Sequence, residues 1–212
     1  RSLGVDDGLA YSKTTAYVKL PIATYDARIV AASAPDCTAP VVPDTVGIAV
    51  TDGLSATIAA IGDLTREGVA AHDPPFQLKV FIDDTTVDPA KIKLRFIHAS
   101  PGTPAVDVGI GTAATGWARV FANVSFGKFA TNSPMNARGY IETAPLSAPV
   151  TARLANGTTD VLTVHASLAA GSLTTAFAIG NKTGQHANPL RVLVCADNAP
   201  SLGLLTACVT AP

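Results

Sequence analysis

The sequence predicts an all-β protein built as two tandem antiparallel β-sandwich domains of immunoglobulin or transthyretin type. Three observations carry this. Short runs of β-branched and aromatic residues alternate with polar ones and are separated by Gly, Pro, Asn or Asp. Only 15% of the residues are charged, against roughly 25% in an ordinary soluble protein, while 48% are apolar. A stretch in the first half, GLSATIAAIGD at 53–63, also recurs in the second as GSLTTAFAIGN at 171–181.

The repeat organises the rest. Each copy of that stretch is followed by a polar loop, a proline and a strand: PFQLKVFIDD in the first half, PLRVLVCADN in the second. Upstream, GLAYSKTTAYVKLPIATYDARIV loosely matches NVSFGKFATNSPMNARGYIETAP. The join falls near DDTTVDPAKIK, whose Asp, Thr and Pro suit a short linker, so the domains are expected at 1–89 and 90–212. The second half opens with KLRFIHASPGTPAVDVGIG, and the first has no counterpart. The first domain is therefore expected to be incomplete on its N-terminal side. Its front strands were either removed or left out, or they come from elsewhere.

Along the second half the expected strands are KLRFIHA, AVDVGI, ARVFANVSF, PVTARLA, LTVHASL, TTAFAIG, LRVLVCA and LTACVT. ANGTTD at 155–160 reads as a hairpin turn, with Asn-Gly supplying positive φ. TREGVAAH, the best helical candidate, is short and glycine-broken and reads as a loop. No apolar run approaches the 18 or so residues of a membrane helix, and no signal peptide is visible. With net charge −1 and no basic block, nothing points to nucleic acid or an anionic membrane surface.

Cys195 and Cys208 lie close in sequence on neighbouring predicted strands and are expected to form a disulfide, worth about 3 kcal/mol by loop closure. Cys37 is then free or paired outside the sequence.

LRFIHASPGTPAVDVGIG, VFANVSFGKFA, ARLANGTTDVLTVHASLAAGSLTTAFAIGN and LRVLVCADN together resemble the bacterial family called domain of unknown function 4397. The likeness spans most of the second half and part of the first. It implies a secreted or cell-surface β-sandwich, often in tandem, with no established activity. FGKFATNSPMNARGYIE departs from the family's plainer pattern, which implies a remodelled surface loop.

Candidate chemistry is sparse. His98 and Asp107 flank a Pro-Gly turn; they read as polar pins that fix the turn, since Ser100 sits in no nucleophile elbow. His72, Asp73 and His186 fall in corresponding loops, and His165 lies in a strand, but none has the ligand spacing of zinc. The acidic clusters GVDDG and IDDTTVD could offer carboxylates to calcium, yet they lack its spaced pattern and read as solvated turns. No cofactor is expected.

These readings lead to a non-catalytic extracellular or cell-surface protein with a structural or adhesive role. In its sharper form it is a filament subunit whose incomplete first domain accepts a strand from another copy of itself. The alternative is a carbohydrate- or polymer-binding module, for which Trp117 with Tyr140 or Phe129 would form the platform.

Overall fold

The computed structural model describes residues 8–64, 74–181, 188–198 and 208–211. The predicted loop at 65–72 lies outside them. All regular structure in the described residues is β. In order, the strands are β1 (Ala23–Ala27), β2 (Thr45–Val50), β3 (Ala56–Ile61), β4 (Gln77–Ile82), β5 (Ile92–His98), β6 (Val106–Thr112) and β7 (Gly116–Val124). They continue with β8 (Tyr140–Thr143), β9 (Leu146–Leu154), β10 (Asp160–Leu168), β11 (Leu173–Ile179), β12 (Arg191–Ala196) and β13 (Cys208–Ala211).

The second half forms a sandwich of two sheets, ordered β10-β9-β6-β7 and β13-β12-β11-β5-β8. Its strands pair antiparallel with one exception: β5 and β11 run parallel, Arg95 opposite Thr175 and His98 opposite Ala178. ANGTTD joins β9 to β10, with Asn156 at φ 61°. Between the sheets, Phe96 and Ala178 pack on Val106, Val108, Phe121, Val124 and Ala152.

The five-stranded sheet is buried on both faces, which explains why β5, β11 and β12 read as nearly continuous apolar runs. Its far face carries Ile97, Phe177, Ile179, Leu193 and Cys195, and these share a second core with Ile61 and Phe81 of the β3–β4 hairpin. Phe81 meets Phe177 edge to face, centroids 6.2 Å apart. The hairpin therefore forms a third layer, and the two halves of the chain are joined through a hydrophobic core.

The β3–β4 and β11–β12 hairpins are built alike. Each is antiparallel, Ile61 opposite Gln77 in one and Ile179 opposite Arg191 in the other. The connection within each is closed by the same isolated parallel bridge, Asp63 to Pro75 and Asn181 to Pro189. Gly62 and Gly180 precede these bridges at φ 103° and 82°, pressed against the carbonyls of Pro75 and Pro189, where a Cβ would collide. β1 and β2 pair only with each other among the described residues, as do β3 and β4.

Candidate functional site

His98 and Asp107 do not meet. His98 is fully buried at the end of β5. Its Nδ1 accepts from the Ser100 amide at 3.3 Å, so Nε2 carries the proton and donates to the Pro104 carbonyl at 3.1 Å. Burial pushes its pKa down, keeping the ring neutral. Ser100 Oγ donates to the Gly180 carbonyl at 2.6 Å and lies 2.7 Å from Thr103 Oγ1; its partners are thus a carbonyl and a hydroxyl. Asp107, on β6, takes the amides of Asn123 at 2.7 Å and Asn156 at 3.1 Å and lies 3.4 Å from Arg119 Nη1. Burial alone would raise its carboxyl; the two amides and Arg119 outweigh this and hold it below the usual value.

Cys195 and Cys208 form a disulfide between directly opposed positions of β12 and β13, and Cys37 is exposed and free. Trp117 is half-buried on the outer face of the four-stranded sheet, donating to the Thr151 carbonyl at 3.1 Å with the Arg153 guanidinium over its ring at 4.2 Å. Tyr140 lies in the other sheet and is buried, and Phe129 packs beneath Gly139, so the three rings form no common platform. His72, Asp73 and His186, with Asp6 and Asp7 of GVDDG, lie outside the described residues. Among the described residues no three His, Cys, Asp or Glu side chains gather as for a metal.

One sequence reading needs correction. IDDTTVD is not wholly a solvated turn: Asp83 is 1% exposed, because the turn leaves β4 beneath the five-stranded sheet. There it enters a buried polar cluster. Asp83 Oδ1 pairs with Arg95 Nη2 at 2.5 Å, both side chains fully buried. Asp83 Oδ2 accepts from Thr57 at 2.8 Å and from Tyr17 at 3.1 Å. Arg95 also donates through Nε to Thr175 at 3.0 Å and through Nη1 to the Ile82 carbonyl at 2.9 Å. Its guanidinium lies 4.5 Å from the Tyr140 ring centroid and 5.9 Å from that of Phe81. Beyond it, Asp197 Oδ2 accepts from Tyr140 and from Thr175, each at 2.6 Å.

The cluster is the same triad twice. Tyr17, Thr57 and Asp83 come from the first half, and Tyr140, Thr175 and Asp197 from the second. Thr57 and Thr175 occupy matching positions of the repeated stretch, as do Asp83 and Asp197 after the two prolines. Arg95 sits between them but makes its ion pair with Asp83 alone. Burial is the main reason Asp197 is pushed up to about 6; its two hydroxyl bonds and Arg95 oppose this, and Asp83 adds to it. Burial, reinforced by the nearby carboxylates, also pushes both tyrosine hydroxyls well up, so they remain protonated donors. Chemically this is a clamp with one carboxyl that takes up a proton near pH 6. The sequence signal for it was an arginine inside the apolar strand KLRFIHA.

A family model described as "Domain of unknown function (DUF4397)" matches residues 4–109, half of the chain. The chain belongs to that family. The match lies on the first half and runs through β5 into β6, whereas the resemblance drawn from the residues was strongest over the second half. No curated protein and no solved structure matches the chain.

Proposed function

We propose that the protein is a non-catalytic structural module of an extracellular or cell-surface assembly, joined to its neighbours by added β-strands. One observation carries this reading. Ala56, Ile58, Ala60, Leu78, Val80 and Ile82 form one face of the β3–β4 hairpin, entirely apolar, and none of them is buried. Ile58 is 39% exposed and Ile82 36%. The matching face of β11–β12 lies under the second sheet, with Ala178 packed on Val106, Val108 and Phe121. An apolar sheet face with open edges is a site for association rather than a resting surface. The cystine supports the extracellular part, since such bonds persist in oxidising compartments.

Light scattering behind size exclusion tests this over about two decades of protein concentration. A mass that grows with concentration, and collapses to the monomer in Ile58→Asp, is expected. A monomer mass at every concentration would refute self-association.

A further inference from the structure

We infer that the open edge of β3 receives an added strand: an extended apolar segment of another polypeptide that lies parallel to β3 and brings an arginine to Asp197. The chain contains its own template for this contact. In the second half, β5 lies parallel beside β11 with Arg95 opposite Thr175. Arg95 bonds that threonine and reaches across the shared core to Asp83, the aspartate of the other half. Ile61 and Phe81 in that core face their sequence counterparts Ile179 and Cys195. Exchanging the halves places the corresponding strand beside β3, with its arginine opposite Thr57 and its guanidinium on Asp197.

Both sides of that place are ready. Among the described residues β3 pairs with β4 alone, leaving its other edge open. Asp197 has the tyrosine and threonine bonds that Asp83 has, but no ion pair among the described residues. Arg95 is near enough to act on its carboxyl but pairs directly with Asp83, so Asp197 lacks the direct ion pair that its twin possesses. The strand must also be apolar on its other face, as Leu94 and Phe96 are on β5, to extend the exposed Ile58 and Ile82 face. A segment with Arg95's neighbours satisfies all three demands: direction, charge and alternation.

This deepens the assembly reading and rests on it for the source of the strand. The probe is a synthetic peptide with the sequence of residues 91–99, KIKLRFIHA, added to the full chain and followed by calorimetry and thermal unfolding. Saturable binding and a raised Tm are expected. Replacing the peptide's arginine by glutamine should weaken binding about tenfold or more, the loss expected for a hydrogen bond between charged partners. Asp197→Asn should weaken the arginine peptide by a similar factor and leave the glutamine peptide unchanged. Ile58→Asp, on the exposed face, should weaken both peptides and keeps the test open if Asp197→Asn does not fold. No saturable binding, or binding indifferent to both the arginine and Asp197, overturns the proposal. A chain that assembles yet ignores the peptide refutes this inference alone; a strict monomer that binds it refutes only self-association.

Discussion

Replacing Arg95 by methionine should be among the most damaging single changes outside the apolar cores. The substitution keeps most of the aliphatic volume but removes three donors at once: to Asp83, to Thr175 and to the Ile82 carbonyl. Asp83 is then left as a buried carboxylate with only the Tyr17 and Thr57 hydroxyls. Breaking one side of a buried pair costs about 3–5 kcal/mol, because the surviving charge keeps its desolvation penalty. Against a typical total of about 5–15 kcal/mol, that is a large fraction of the fold's stability. Urea unfolding followed by the single tryptophan, with linear extrapolation, measures it. The double change Arg95→Met with Asp83→Leu should recover most of the loss, since no unpaired charge remains. A single-variant loss under about 1 kcal/mol, or a double variant no better than the single, would refute the clamp.

Three further outcomes follow from the same contacts. Asp197, raised by burial from 3.8 to about 6, favours the folded state at low pH and loses that contribution as pH rises through about 6; at about 1.4 kcal/mol per pH unit this amounts to about 3 kcal/mol. The stability of the natural chain relative to Asp197→Asn should therefore fall between about pH 4 and 7, measured by unfolding at each pH. Cys195→Ser with Cys208→Ser should cost about 3 kcal/mol, read as a lower Tm that matches the reduced natural chain. Asp107→Ala strands the Asn123 and Asn156 amides and should cost about 1–3 kcal/mol, with amide exchange speeding first at those two turns.

Much of the architecture was legible because the periodicity is simple. The strands from KLRFIHA to LRVLVCA sit where alternation and turn residues put them, and the cystine joins the two cysteines closest in sequence. The hairpin repeat was legible too, down to the prolines that make matching bridges. The parallel pairing of β5 with β11 was not, because partners 80 residues apart leave no local trace. The buried cluster was missed for a different reason. Tyr17, Thr57 and Asp83 look like ordinary turn and surface residues until the hairpin is laid against the sheet, and only then do their hydroxyls converge on one carboxylate. His98 and Asp107 stood out by spacing, yet each satisfies a separate turn.

Because the shared core draws on both halves, the order in which the chain is made matters. The β3–β4 hairpin emerges first, with Ile61 and Phe81 on one side and Ile58 and Ile82 on the other, before any of its packing partners has been synthesised. It must wait for β11 and β12, more than a hundred residues later in the case of Phe81 and Leu193. During that interval the nascent chain carries a sticky two-sided hairpin, the kind of intermediate that aggregates or recruits chaperones. The far face of the five-stranded sheet and the hairpin that covers it therefore reach their final packing only once both halves exist.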